Sequence, residues 1–349
     1  RPPRSTLFPY TTLFRSVVDG AGRIAARLDR AQVTKSFPNA KVVDWRGQLL
    51  CPGFVDCHQH LCHFEWTRLV PNLFEWLRCI YALEARFADI GHARRIADAF
   101  FRELARNGTT TCCVHGPYFP DATHAAFESA AGSGLRVLMG MNMGDLALPP
   151  ELTRAPAESL RSAEALCGEW SGRNGGLFDY VYTVRPAYCS SVALLRGVGE
   201  RAKSDRVRVQ SHLGESAEGR DRIRRRFPQS DGETAVYDAC GLLTDRTLMA
   251  HGVYLTDAER SILAERSVRL AHCPRANLLS GGQQMELPKC RTAGIPVGLG
   301  TDLGAGKGLS VLRTMEDALK VTPELFIHDV FRLATLDGAR ALGLDTVTG

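Results

Sequence analysis

Two histidines one residue apart, His58 and His60, follow a short apolar run and carry the strongest chemical signal in the sequence. If the run Gly53-Phe54-Val55 is a β-strand, its side chains alternate between two faces, so both imidazoles and Asp56 point the same way. Two imidazoles on one face can share a metal ion. A bare pair of this kind is more often two surface histidines near a turn, so the metal interpretation depends on ligands elsewhere in the chain.

Further residues of ligand type stand at the ends of later apolar runs. His212 ends one run and precedes Glu215 by three residues, while His251, His272 and Asp302 each end another. A single strand-end histidine is more often a hydrogen-bonded core residue than a ligand, but so many runs ending this way indicate a common site. Three neutral imidazoles and one carboxylate suit Zn²⁺ and leave an open position for water. The alternative for Asp302 is a cap on the following helix.

The elements that must position these residues are strands alternating with helices. From Gly53 to Asp302 the pattern predicts eight β-then-α units, which is typical of a (β/α)8 TIM barrel in the α/β class. The chemistry of such a barrel lies at the carboxyl ends of its strands. An open doubly wound sheet is the competing architecture, but no G-x-G-x-x-G follows the first strand. The predicted strands are 53–60, 108–114, 136–143, 179–185, 208–213, 247–252, 267–273 and 296–301.

Two segments precede the predicted barrel. Residues 1–16 read like a translated sequencing adapter without an initiator Met, and we interpret them as a non-native tail. Residues 17–52 contain turn chemistry and a short β run over 40–44, which predict the strands of a partial β-sandwich. The barrel is expected to occupy residues 53–349.

Composition and charge favour a cytoplasmic globular enzyme. The chain of 349 residues is 44% hydrophobic, and it has neither an apolar run of transmembrane length nor a secretory signal pattern. Its 11 cysteines include no C-x-x-C pair, which indicates reduced thiols rather than disulfides. The predicted tail holds three arginines and no acid, so the net charge without it falls from +5 to +2. We therefore expect no nucleic-acid partner and no membrane partner.

Six short segments follow one another along the chain: P-G-F-V-D-C-H-Q-H (52–60), N-G-T-T-T (107–111), Q-S-H-L-G-E (210–215), M-A-H-G-V-Y-L (249–255), A-H-C-P-R-A-N (271–277) and G-L-G-T-D (298–302). They resemble motifs of the amidohydrolase superfamily, and a smaller set of segments resembles the guanine deaminases within it. The narrower signal lies in residues 73–77, 84–87, 183–185, 235–238 and 242–244. The resemblance spans about Val42 to Leu344. It implies zinc-dependent hydrolysis of guanine to xanthine and ammonia.

The resemblance also implies which residues do the chemistry. It makes His58, His60, His212 and Asp302 the zinc ligands. The catalytic residues it implies are Glu215 as proton shuttle, His251 as the residue that orients water, and Asp302. Related two-metal enzymes carry a modified lysine at the end of the fourth strand. Residues 179–185 contain no lysine, so we expect one Zn²⁺ per chain.

The resemblance places four residues at the substrate. Arg185 matches an arginine that holds the purine carbonyl, for which its parallel N–H donors are suited. His63 stands where the family usually has glutamine, and Pro186 where it usually has an aromatic residue. Both would contact the base, and Trp76 could form a wall of the pocket. The alternatives without a substrate role are that Arg185 lies at the surface, that His63 lies at the rim of the barrel and that Trp76 belongs to the core.

The two departures leave other functions open. One alternative is a deaminase or dechlorinase of another amino-substituted heterocycle, such as a pterin, a triazine or an oxidised purine. Another is a catalytically inactive barrel that serves as a scaffold. A third is metal-dependent hydrolysis of a cyclic amide, against which the missing fourth-strand lysine argues. We expect a small-molecule purine as the ligand and leave a homodimer open.

The end of the chain carries one more expectation from the resemblance. Superfamily members usually return after the barrel to complete the sandwich, but here the sequence stops at Gly349 shortly after Leu344. We expect the return strands to be missing, which would leave an incomplete sandwich with an exposed strand edge.

Overall fold

The structure is a computed structural model that describes residues 14–20, 22–44, 48, 50–66, 68, 70, 72–280 and 282–349. It divides into two compact units, Arg1–Pro52 and Gly53–Gly349. In the first unit β1 (Phe14–Val18) pairs antiparallel with β2 (Ile24–Asp29). The helix α1 (Arg30–Ser36) follows directly, because the Asp29 side chain accepts the N–H of Gln32 and caps its first turn.

The first unit differs from the sequence prediction in one segment. Residues 40–44 form no strand, so the β run predicted there is wrong. A strand needs a partner, and Val42 and Val43 stay 80% and 60% exposed without one among the described residues. Most of the predicted tail, residues 1–13, lies outside the described residues, while residues 14–16 belong to β1. The tail and the partial sandwich stay predictions.

The second unit is a nearly closed barrel of eight parallel strands, so the predicted (β/α)8 fold is confirmed. Neighbours in the sheet follow chain order, and a short extra strand, β6, pairs with β7 beside β5. Met141 divides β5 from β6, which together cover the third predicted strand. The strands are β3 (Phe54–His60), β4 (Thr109–His115), β5 (Arg136–Gly140), β6 (Asn142–Met143), β7 (Phe178–Val184), β8 (Arg208–Leu213), β9 (Thr247–His251), β10 (Arg269–His272) and β11 (Val297–Leu299).

Helices follow the strands and bury apolar stripes. In α3 the buried positions include Ala93, Ile96, Phe100 and Leu104, whose spacing of three or four residues places them on one face. No helix within the described ranges is long and apolar enough to cross a membrane. The helices are α2 (Leu73–Ala85), α3 (Ile90–Arg106), α4 (Pro120–Ala131), α5 (Pro156–Trp170), α6 (Arg173–Gly176), α7 (Val192–Asp205), α8 (Ala217–Arg226), α9 (Glu233–Ala239), α10 (Asp257–Glu265), α11 (Pro274–Ser280), α12 (Leu287–Thr292), α13 (Val311–Val321), α14 (Ile327–Leu333) and α15 (Leu336–Leu342).

The first and last barrel strands meet through side chains and the residues just after β11. The carboxylate of Asp56 accepts hydrogen bonds from the Thr301 N–H at 3.0 Å and the Thr301 hydroxyl at 2.6 Å. The N–H of Asp302 donates to the His58 carbonyl at 2.9 Å. Gly300 permits this approach, since a Cβ there would lie 2.8 Å from the Cβ of His58. The contacts fix Asp302 beside the two histidines of β3.

Gly140 provides a test of strand packing away from the candidate site. A Cβ at this position would lie 1.7 Å from the backbone carbonyl oxygen of Val181, which cannot move aside without disturbing β7. We expect Gly140→Ala to destabilise the fold by about 3 kcal/mol or more, because overpacking here displaces backbone. Urea unfolding should show a lower midpoint. The control is Gly168→Ala on α5, where nothing lies within 4 Å and alanine should stabilise by up to about 1 kcal/mol. Equal stability of both variants would contradict this account.

Candidate metal centre and active site

Three histidines from two strands bring their ring nitrogens together with Asp302 at the carboxyl end of the barrel. The Nε2 atoms of His60 and His212 lie 3.1 Å apart. Asp302 Oδ1 lies 3.4 Å from Nε2 of His58 and 3.6 Å from Nε2 of His60. One ligand atom from each of the three histidines lies within 4.8 Å of the other two. Ligand atoms at about 2 Å from a shared tetrahedral cation have this kind of spacing.

The chemical state of these side chains also suits a cation. Burial lowers the pKa of His58, and lowers those of His60 and His212 well below the ordinary value. The imidazoles are therefore neutral, and each has a nitrogen lone pair that can bind a metal ion. Burial raises the pKa of Asp302, but the contact with His58 and the positive charge that His58, His251 and His63 carry when protonated outweigh that effect and leave the pKa lowered. His58 Nε2 is buried and has no hydrogen-bond partner among the described residues. Three neutral imidazoles and one carboxylate therefore fit a divalent ion such as Zn²⁺.

Two residues of the site have left-handed backbone conformations. The φ angle is +75° at His251 and +47° at Asp302, a region that few residues other than glycine adopt and in which asparagine, aspartate and histidine are the most frequent of the rest. His251 is the last residue of β9 and Asp302 lies three residues after β11, and both side chains reach the ligand cluster. The sequence contains no local sign of this conformation at His251.

His251 connects the metal ligands to Glu215. Its Nδ1 lies 3.0 Å from Asn277 Oδ1, an acceptor, so in the neutral imidazole Nδ1 carries the hydrogen and Nε2 keeps its lone pair. Nε2 lies 3.7 Å from Glu215 Oε1 and 3.9 Å from Asp302 Oδ2, and it has no hydrogen-bond partner among the described residues. Burial raises the pKa of Glu215 above its ordinary value. A water molecule among these groups would meet an acceptor on His251 and a carboxyl that holds protons more readily than usual.

His63 and Trp76 lie on the side of the cluster next to His60. The His63 ring stacks on the His60 ring with centroids 4.4 Å apart, and Trp76 meets the His63 ring edge-on at 5.1 Å. Both His63 nitrogens face protein acceptors, Glu84 Oε1 at 3.0 Å and the Leu303 carbonyl at 3.3 Å. Neither nitrogen is free to bind a ligand in this arrangement, so a substrate contact by His63 stays a prediction.

Arg185 follows β7 and has an unusual environment for a guanidinium. Its side chain is buried, its Nε has no hydrogen-bond partner, and it forms no ion pair within the described chain. Burial raises the pKa of Glu215 and the charge of Arg185 partly opposes that rise, so the two groups are within electrostatic reach. Pro186 lines the same small cavity as His212 and Glu215. A buried cation that forms no ion pair among the described residues, and that directly precedes a residue lining this cavity, is suited to hold an acceptor oxygen of a ligand.

Two residues that support the site were not predicted from the sequence, although both lie within segments that carry the family resemblance. Asn277 is the last residue of A-H-C-P-R-A-N, and Glu84 lies in the segment 84–87. Glu84 contacts His63, which is 21 residues away in the sequence, and Asn277 contacts His251, which is 26 residues away. A search for polar residues near the starts of helices after each strand would have found Asn277 on α11.

Comparison with known proteins gives one family and a consistent set of relatives. The model of the Amidohydrolase family matches residues 49–349. A probable guanine deaminase of Deinococcus radiodurans is 35% identical over 336 residues, covering 91% of this chain and 74% of the relative. The solved structure of Escherichia coli guanine deaminase superposes with a TM-score of 0.91 at 31% identity, covering 96% of this chain and 78% of that one.

A further solved structure contains a ligand. It is guanine deaminase from C. acetobutylicum with bound guanine in the active site, and its TM-score is 0.89 at 25% identity. The match covers 95% of this chain and 81% of that one. The family match over residues 49–349 spans the barrel strands and all the candidate site residues.

Proposed function

The chain belongs to the amidohydrolase family, and from that premise we propose that it hydrolyses guanine to xanthine and ammonia with one zinc ion bound. The observation that carries the proposal is the convergence of His58, His60, His212 and Asp302 with the pair His251 and Glu215. The identity of 35% to a relative named as a probable guanine deaminase supports the substrate.

The proposed zinc ligands are the three histidines and Asp302. Zn²⁺ held there would supply Lewis-acid chemistry that lowers the pKa of a water molecule to about 7. Asp302 has a carboxylate oxygen 3.9 Å from His251 Nε2, so both can accept hydrogen bonds from one water molecule. Asn277 holds the His251 ring so that Nε2 faces this position. The two acceptors direct the attacking oxygen at the substrate.

Glu215 is the proposed proton shuttle. The carboxyl takes the proton that the attacking water loses and delivers it to ring N3 of guanine as the remaining hydroxyl oxygen adds to C2. It then carries the proton of that new hydroxyl group to the amino nitrogen. The C2–N bond breaks, ammonia leaves and xanthine remains. The raised pKa of Glu215 supports this assignment, since a carboxyl must hold a proton before it can deliver one.

Arg185 is the proposed substrate anchor. Its guanidinium can donate hydrogen bonds to the carbonyl oxygen of guanine. The substrate would then provide an acceptor for a side chain whose Nε has no hydrogen-bond partner among the described residues. Pro186 and Trp76 are proposed to contact the base from two sides. A cytoplasmic location and a homodimer stay predictions from the sequence.

Hydrolysis of another amino- or chloro-substituted heterocycle is the second candidate. Its support is His63, which replaces the usual glutamine and is engaged by Glu84 and Leu303. A panel of guanine, pterins, triazines and 8-oxoguanine, followed by ammonia or chloride release, separates the two candidates. Turnover of a panel member in the absence of xanthine formation would favour the second.

Removal of metal tests the proposed function directly. The purified chain should convert guanine to xanthine, lose that activity after treatment with a chelator, and regain it when Zn²⁺ is added. The proposed ligand atoms lie 3.1 to 3.6 Å apart, a spacing that suits a shared cation. In the proposed mechanism that cation lowers the pKa of the attacking water, so its removal should stop the reaction. Elemental analysis should find one zinc per chain. A metal-free preparation that keeps full activity would contradict the mechanism, and a zinc-loaded chain without turnover on the whole panel would favour a scaffold.

A further inference from the structure

A buried carboxylate at the start of α9 bridges the two loops that carry Arg185 and Glu215. Glu233 Oε1 accepts the N–H of Ala187 at 3.2 Å, and Oε2 accepts the N–H of Gly214 at 3.0 Å. Ala187 comes two residues after Arg185, and Gly214 immediately precedes Glu215. One side chain thereby ties the loop after β7 to the loop after β8.

Tyr237 reinforces this bridge from the next turn of α9. Its hydroxyl oxygen lies 3.1 Å from the Ala187 amide nitrogen and 3.1 Å from the His212 carbonyl oxygen. The same oxygen is 3.3 Å from Glu233 Oε1, so the two side chains form one hydrogen-bonded pair at positions i and i+4. The pair therefore contacts the backbone of His212, a proposed metal ligand, and the backbone amides of Ala187 and Gly214, which lie two and one residues from Arg185 and Glu215.

Stability alone does not account for Glu233. Its residue exposure is 8%, and it forms no ion pair within the described ranges. Burial raises its pKa to about 7, although the N–H groups of Gly214 and Ala187 oppose the rise. A helix-start acid that only favours the dipole gains from an exposed position and has no need of burial. Both oxygens are instead engaged by two loops that approach the site from different strands.

We propose that Glu233, assisted by Tyr237, is a positioning residue that sets the relative placement of Glu215 and Arg185. The inference rests on the proposed function, because it assigns these two groups to proton transfer and substrate binding. Glu233 acts through the backbone and does not touch the substrate. Loss of the Gly214 bond displaces the proton shuttle, and loss of the Ala187 bond displaces the substrate anchor.

Two substitutions of Glu233 separate positioning from packing. Glu233→Gln keeps the shape, but its amide nitrogen cannot accept a backbone N–H, so one of the two bonds is lost. Glu233→Ala removes both. The control is Glu259→Gln on α10, a buried acid of 6% exposure whose partners are Thr234 and Thr256 and not the two loops. Each variant is prepared as the full chain, with zinc content, thermal midpoint, kcat and KM for guanine, and a crystal structure.

The expected result is a graded loss in activity at retained zinc content. Glu233→Gln should lower kcat/KM by about 10-fold and Glu233→Ala by about 100-fold, the range found for outer partners of metal sites. The alanine variant should lower kcat and raise KM together, while Glu259→Gln changes only the thermal midpoint. In the crystal structures the separation of Glu215 Oε1 from His251 Nε2, 3.7 Å here, should widen only in the Glu233 variants.

The inference is overturned if both Glu233 variants fold and keep the kcat, KM and Glu215 placement of the control. If the unaltered chain forms no xanthine, the proposed function fails, and the crystal structures still decide whether Glu233 positions Glu215. If Glu233→Ala does not fold, Glu233→Gln alone gives the comparison.

Discussion

The Asp302→Asn variant is expected to retain the barrel and to lose guanine turnover by about 10³–10⁴-fold, the upper part of the range for loss of a positioned proton acceptor. Asp302 Oδ1 lies between two proposed ligands, 3.4 Å from His58 and 3.6 Å from His60. Its other oxygen lies 3.9 Å from His251. Removing the charge takes away the single anionic group among the proposed ligands and one of the two proposed acceptors for water, so zinc content should fall as well.

Asparagine is the appropriate replacement because the backbone at Asp302 is left-handed, with φ at +47°. Asparagine tolerates this region and preserves the shape of the side chain, whereas alanine would add strain. The measurements are xanthine formation, zinc by elemental analysis, and thermal unfolding. Asp317→Asn is the control, since Asp317 is also nearly buried but pairs with Arg275 on an outer helix. It should lower stability and leave kcat unchanged.

Normal activity of Asp302→Asn at full zinc content would remove Asp302 from the chemistry. Loss of activity at full zinc content would support the role of Asp302 as proton acceptor and would show that Asp302 is not required for zinc binding. These outcomes distinguish the two functions that the geometry assigns to one carboxylate.

The barrel could be predicted from the sequence because buried parallel strands leave a simple pattern. A strand covered on both faces appears as a continuous apolar run, and a functional residue at its carboxyl end interrupts that run. His212 and His251 illustrate this, since each ends its strand within one residue of the predicted position. The strand predicted over 40–44 is absent from the structure. A strand forms only beside a partner strand, and the local sequence pattern does not show whether one is present.

The support beneath the site could not be predicted in the same way. Glu233 bonds to Ala187 across 46 residues, and Asp56 bonds to Thr301 across 245. Such contacts leave no local period or motif, because they depend on how strands separated in sequence become neighbours in the barrel. The left-handed backbone at His251 has the same origin, since the loop it enters is shaped by packing. Sequence patterns therefore predicted the groups that are proposed to react and not the contacts that hold them.

Replacing Glu215 with glutamine tests the proton shuttle separately from the metal. We expect kcat to fall by about 10²–10⁴-fold, the usual contribution of general acid–base catalysis, while KM changes little. An amide has the shape of the carboxyl but cannot take up and release a proton. Glu215 lies 3.7 Å from His251 Nε2 and is not among the proposed ligands, so the zinc content should stay that of the unaltered chain.

A neighbouring acid gives the control for Glu215. Glu218 lies on α8 three residues further on, is 43% exposed at its side chain and pairs with Arg222, so Glu218→Gln should leave kcat and zinc content unchanged. Retained zinc with lost turnover in Glu215→Gln, set against lost zinc in Asp302→Asn, would assign proton delivery and metal binding to different carboxylates. If Glu215→Gln keeps the kcat of the control, proton delivery must come from another group, and Asp302 is the remaining carboxylate within reach of His251.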